Sequence, residues 1–185
     1  DASGFTGTVT ILGAGGADTI TGGAGDDSLD GGTGADSISG SGGDDLLIGG
    51  GGADFLSGGS GDDVIRGSDD AGDSIQGNAG RDYIYGNGGN DNIDAGDGND
   101  TVQGGAGDDT IAGGAGSDLL VGGADNDVIY GQNSTGTGDD NAVDFIYGGF
   151  GTNLNEPGSG QDQLNGNCGN DAVFGEGGDD FIADF

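Results

Sequence analysis

One position along this chain is apolar without exception, recurring about once in every nine residues. Aligned on GGAGDDSLD at Gly22–Asp30, units of nine begin at Gly13, Gly22, Gly31, Gly40, Gly49 and Gly58. They resume at Gly77, Gly86, Ala95, Gly104, Gly113 and Gly122, and again at Gly166 and Gly175; units at Gly67, Gly131 and Gly148 carry one, eight and nine extra residues. The eighth position is Ile, Leu or Val in all 17 units, from Ile20 and Leu29 to Val173 and Ile182. Around it stand short stretches such as TIT, SLD, VIR and YIY, β-branched or aromatic in part, which suit a brief strand. Side chains alternate faces along a strand, so the eighth residue points inward while the seventh and ninth point out. A strand of three residues cannot stand alone, so the inward residues must stack from turn to turn as in a solenoid.

The sixth position is more uniform still. It is Asp in all 17 units: Asp18, Asp27, Asp36, Asp45, Asp54, Asp63, Asp73, Asp82, Asp91, Asp100, Asp109, Asp118, Asp127, Asp144, Asp162, Asp171 and Asp180. Carboxylates stacked at a strand spacing of ~4.8 Å repel strongly. A hard cation relieves the repulsion. Ca²⁺ takes six to eight oxygens from carboxylates and carbonyls, whereas Mg²⁺ keeps its waters and wants a stricter octahedron. The fourth position is Gly in 14 units, the exceptions being Ala71, Asp125 and Ala142, and supplies the sharp turn.

Composition narrows the function. The 185 residues hold 51 Gly, 34 Asp plus Glu, two Arg and no Lys, His, Met or Trp, with a net charge of −32. Such charge repels nucleic acid. No apolar run reaches the ~18–20 residues of a membrane span. One cysteine, Cys168, and no histidine exclude disulfide frameworks, Cys/His zinc sites and His-based triads. Low hydrophobicity and high charge favour disorder in the absence of a ligand. The opening DASGFTGTVTIL reads as the interior of a longer protein.

The unit GGxGxDxUx resembles the calcium-binding nonapeptide of the RTX (haemolysin-type) family, over residues 13–183. The resemblance implies an all-β, right-handed parallel β-roll with two units per turn and Ca²⁺ between units n and n+2. Both sixth-position Asp side chains would hold each ion, with turn carbonyls of positions one, two and four. In the regular units these are Gly22, Gly23 and Gly25; Gly31, Gly32 and Gly34; Gly49, Gly50 and Gly52; Gly58, Gly59 and Gly61; Gly104, Gly105 and Gly107; and Gly113, Gly114 and Gly116. It also implies a bacterial, extracellular protein exported unfolded through a type I secretion channel. Residues 1–12, with Val9 in place of Asp, read as a degenerate capping turn. Residues 13–183 read as the roll, with insertions near 131–143 and 149–160, and residues 184–185 as a tail.

Two units per turn sort the Asp residues into two stacks, one from Asp18 to Asp180 and one from Asp27 to Asp171. They offer up to fifteen intervals, and fifteen Ca²⁺ would bring −32 to about −2. The expected role is a calcium-dependent structural module of a secreted or surface protein. The alternatives are a glycan- or ice-binding segment, which the scattered Thr33 and Asn90 do not favour, or an accessory module of a secreted enzyme; the chain itself is not expected to be an enzyme. Asp at position five (Asp26, Asp44, Asp62, Asp108 and Asp179) reads as surface charge, Cys168 as a small turn residue and Asn133-Ser134-Thr135 as a chance sequon. Asp139 or Asp140 are candidates to rebuild a site beside the insertions. The sheet following the Asp27 stack has 11 apolar or aromatic residues among its 16 outward positions, against 6 of 18 on the other. That face is expected to be covered by the insertions, a second copy or a neighbouring domain.

Overall fold

The computed structural model describes residues 1–132, 143–149, 160–166, 171–176 and 178–183. Among them are eighteen strands, from β1 (Thr10–Leu12) to β18 (Phe181–Ala183), and no helix. The strands form two parallel sheets of nine, odd-numbered strands in the first and even-numbered in the second. Each strand pairs with those two before and two after it. Ile84 thus lies between Ile65 and Val102, and Ile38 between Ile20 and Leu56. One turn of chain therefore contains two nine-residue units, and the fold is a parallel β-roll.

The nine-residue period sets this register. Partners lie eighteen residues apart wherever the units are regular, as in Leu29↔Leu47. The extra residue after Gly67 lengthens one step, yet Phe55 still pairs with Ser74. The long insertions are absorbed in the same way, since Leu119 pairs with Phe145 and Val128 with Gln163.

The core is the column of eighth-position residues. Ile20, Leu29, Ile38, Leu47, Leu56, Ile65, Ile75, Ile84, Ile93, Val102, Ile111, Leu120, Ile129, Ile146 and Leu164 are all buried. Ile182, in the last strand, is 49% exposed. At the other end Val9 and Ile11 pack against the core, the Ala2 N–H donates to the Thr21 carbonyl at 2.8 Å, and the Ala24 N–H donates to that of Phe5 at 2.9 Å. The first sheet carries the aromatic outer face. Tyr83, Leu119, Phe145 and Phe174 are exposed there, and Tyr147 stacks on Phe174 with centroids 5.0 Å apart. The insertion residues 133–142 and 150–159, expected over this face, lie outside the described residues.

Turns stack as closely as strands. Where a side chain occupies positive φ (Ala14, Ser41, Asn78, Asn87, Asp125 and Glu176), φ is 70–84°, within or near the left-handed region; the positive-φ glycines lie at 96–134°. Gly52 has φ +111°, and a Cβ there would run into the Gly34 carbonyl of the turn below. Its neighbour Gly51 has no such constraint, its nearest contact being the Asp70 carboxylate at 3.7 Å. Gly52→Ala is expected to cost about 1–3 kcal/mol and Gly51→Ala less than about 0.5 kcal/mol. Thermal melting of both variants in calcium would check this, and equal shifts would contradict it.

Candidate metal centre

Every sixth-position Asp sits in the turn just before a strand. Its carbonyl already joins the ladder: the Ser37 N–H donates to Asp18 and the Val64 N–H to Asp45, at 2.9 and 2.8 Å. Except in the last unit of each stack, its own N–H donates to Oδ1 of the Asp one turn further on. Asp27 donates to Asp45, Asp45 to Asp63 and Asp91 to Asp109, each at 2.8 Å. The series crosses the insertions, since Asp118 donates to Asp144 at 3.0 Å and Asp127 to Asp162 at 2.9 Å. Val9 takes the same place at the start, donating to Asp27 Oδ1 at 2.7 Å. The side chains predicted as ligands are thus brought into two continuous columns. Asp18, Asp171 and Asp180 at the ends are half-buried and the rest are buried.

The second carboxylate oxygen is different. Oδ2 of Asp27, Asp36, Asp45, Asp54, Asp63, Asp82, Asp91, Asp100, Asp109, Asp127 and Asp162 is buried and accepts no hydrogen bond. A buried carboxylate oxygen without a donor is costly, so a column of them marks something missing from the protein atoms alone.

Position one shows where it belongs. A Cβ built on Gly22 would touch Asp27 Oδ2 and lie 2.8 Å from the carbonyl oxygen of Gly40, one turn on. The same cradle recurs at Gly31 with Asp36 and the Gly49 carbonyl at 2.7 Å, at Gly58 with Asp63 and the Gly77 carbonyl at 2.9 Å, and at Gly104 with Asp109 and the Gly122 carbonyl at 2.7 Å. A side chain there would collide with both oxygens, and a carboxylate oxygen with no donor grouped with a carbonyl oxygen is the kind of oxygen set a hard cation takes. The residues therefore fit a hard cation. Position one is Gly in every unit except one, where Ala95 puts a buried methyl at the equivalent place.

Carbonyls of positions two and four point at the same-numbered residue of the next turn, as Gly32 does at Gly50 and Gly34 at Gly52. Of the three predicted carbonyls, position one is the one placed beside the carboxylate. No three acidic or thiol side chains gather around one point among the described residues. Each cradle is built from one Asp oxygen and main-chain carbonyl.

Sequence reasoning missed a further row. Position-five side chains cap the position-five N–H of the next turn: Asp26 accepts from Asp44 at 3.0 Å, Asp44 from Asp62 at 2.8 Å and Asp108 from Asn126 at 2.9 Å. Asp62 accepts from the Arg81 N–H and pairs with its guanidinium at 3.0 Å. Asn90 and Asn99 do the same for Asp108 and Ser117. Asp26, Asp44, Asp62 and Asp108 are thus exposed but structural, and the recurrence of short acceptor side chains at this position was the available signal. Asp139, Asp140, Asn133 and Cys168 lie outside the described residues.

Burial dominates the electrostatics. Loss of water pushes Asp45, Asp54, Asp100 and Asp109 up to about 6, Asp63 and Asp91 to about 7 and Asp127 to about 8, from 3.8. The main-chain hydrogen bond opposes the rise, and neighbouring carboxylates add to it. A carboxyl with a higher pKa in the fold than in the unfolded chain binds its proton more tightly when folded. Without metal, its contribution favours the fold fully below about pH 4 and is lost as pH rises through about 6 to 8. Calcium-free protein should therefore show more β structure by circular dichroism at pH 5 than at pH 8. A β signal that grows over that rise would contradict the assignment of these groups as buried carboxyls.

The sequence profile of the RTX calcium-binding nonapeptide repeat (4 copies) matches residues 4–38, 12–47, 30–65, 39–72, 68–102, 103–137 and 158–183. No curated protein matches. Among solved structures, the extracellular lipase LipA from Serratia marcescens is 21% identical over 81% of this chain, with a TM-score of 0.24. The chain spans about a third of that protein, 34% of its length. The repeated profile, which covers most of the sequence, places this chain in the RTX calcium-binding nonapeptide repeat family.

Proposed function

We propose that the chain is a calcium-dependent structural module of a larger secreted or cell-surface bacterial protein, folding on extracellular Ca²⁺ after export as an unfolded chain. The observation that carries this reading is the column of buried Asp Oδ2 atoms without donors, most of them near a main-chain carbonyl of the next turn, as Asp27 is to that of Gly40. The sixth-position Asp residues from Asp18 to Asp180 serve as side-chain ligands, with turn carbonyls completing each site, at up to about fifteen intervals.

Ca²⁺ supplies the positive charge that lets these carboxylates stay ionised out of water. The chain does the rest. Its Oδ1 atoms fix each carboxylate against a backbone N–H, and its position-one carbonyls face the remaining oxygen. Extracellular calcium modules bind at roughly 10⁻⁴–10⁻³ M, and free cytosolic calcium lies far below that. The binding free energy then acts as folding free energy, available only outside the cell. The RTX repeat is a structural, calcium-binding repeat rather than a catalytic one.

Two measurements test this. Circular dichroism in EGTA should show coil, turning cooperatively to β in millimolar Ca²⁺ but not in equal Mg²⁺; a β spectrum unchanged by EGTA would refute it. Asp63→Ala removes a fully buried carboxylate and should raise the calcium midpoint clearly. Asp62→Ala removes an exposed one, paired only with Arg81, and should shift it little. Equal shifts would reject position six as the ligand.

A further inference from the structure

We infer that the row of cation sites in the Asp18 stack is interrupted at the turn 67–73, where Asp73 acts as a hydrogen-bond acceptor instead of a ligand. The inference rests on the calcium reading above and concerns one turn within it.

Two features set this turn apart from its neighbours. The first is Asp73 Oδ2, which accepts a hydrogen bond from the Ser68 N–H at 2.7 Å, where Oδ2 of Asp36, Asp54, Asp91 and Asp109 in the same stack has no donor. Asp73 is as buried as they are. Ser68 closes the turn itself, its hydroxyl donating to the Ala71 carbonyl at 2.8 Å. The polar groups that leave an oxygen over elsewhere are satisfied here by protein alone. A cation at Asp73 would compete with a main-chain donor for the oxygen that stands free at the other sites.

The second feature lies one turn earlier. At Gly31 and Gly67 the point beside Oδ2 is also reached by the position-one carbonyl of the following turn, Gly49 and Gly86. At Gly49 the corresponding carbonyl would be that of Gly67. The three nearest atoms there all belong to Asp54, and Gly67 is not among them. Ser68, like Gly149, lacks the positive φ that Gly32, Gly50, Asn87 and Gly105 show at position two of this stack. Position-one C=O and position-two N–H share one peptide plane. A single change in that plane accounts for both departures: it brings the N–H to Asp73 and takes the carbonyl from Asp54.

The extra residue in GSDDAGD is what sets this turn apart in sequence from its regular neighbours in the stack. The nine-residue insertion does not have this effect. With nine extra residues, the unit at Gly148 keeps Asp162 Oδ2 without a donor and the Gly175 carbonyl 2.8 Å from the Cβ point.

The test uses crystals of the chain grown in CaCl₂, with anomalous scattering at long wavelength to locate calcium. Ions are expected on Asp36, Asp91 and Asp109 and none on Asp73. An ion bound by Asp73 Oδ2 would overturn this inference alone, and calcium absent from every turn would overturn the proposed function along with it. In a second arm, residues 67–73 are replaced by the six-residue sequence of Gly58–Asp63, and bound calcium is counted by elemental analysis after dialysis. The variant should hold at least one ion more per chain than the parent. An unchanged count in a variant that still folds on calcium would show that the extra residue is not what closes the site.

Discussion

The structure depends on a column of carboxylates carried out of water. A buried ionised carboxylate costs several kcal/mol unless it is paired and hydrogen-bonded. This chain buries one in nearly every half-turn, and in most of them the protein satisfies only half: Asp45 Oδ1 takes a main-chain N–H and Asp45 Oδ2 takes nothing. The apolar core cannot offset this unaided, since it amounts to one aliphatic side chain per nine residues. The roll is thus a fold in which the polar turns decide whether the apolar strands can assemble at all.

Much of this is legible in the sequence. A period of nine, with alternation inside it, gives the inward column, and an eighteen-residue turn sorts the outward residues into the two sheets observed. The Asp column announces a cation because like charges at fixed spacing need one. What sequence does not reveal is peptide-plane orientation. That Oδ1 is already claimed by a backbone N–H, that Asp26, Asp44 and Asp62 cap N–H groups rather than merely carry charge, and that Ser68 turns its N–H toward Asp73 all follow from local φ and ψ. A repeat alignment registers Asp73 as one more copy of the same residue, although its environment is unlike that of Asp91.

Two side-chain ladders join successive turns, and they run in opposite directions. At position six the earlier turn donates its N–H to the later carboxylate, as Asp45 does to Asp63. At position five the later turn donates to the earlier side chain, as Asp62 does to Asp44. Each turn is therefore held by its neighbour's side chains on adjacent residues, and neither ladder can form within a single turn. Nearest-neighbour coupling of this kind makes a solenoid fold as a cooperative stack rather than as independent repeats.

The same coupling explains why insertion length matters in an unexpected order. Closing a flexible loop costs free energy that grows only slowly with length. Nine extra residues leave their anchors free to keep the regular places, as Gly148 and Asp162 do, with Asp162 Oδ2 free of any donor and the Gly175 carbonyl still beside it. One extra residue has no room to leave the turn. It must be accommodated among the stacked carbonyls, and the cheapest adjustment is to reorient a peptide that would otherwise face the ion. In a stack built on such small tolerances, the shortest insertion disturbs the metal row more than the longest.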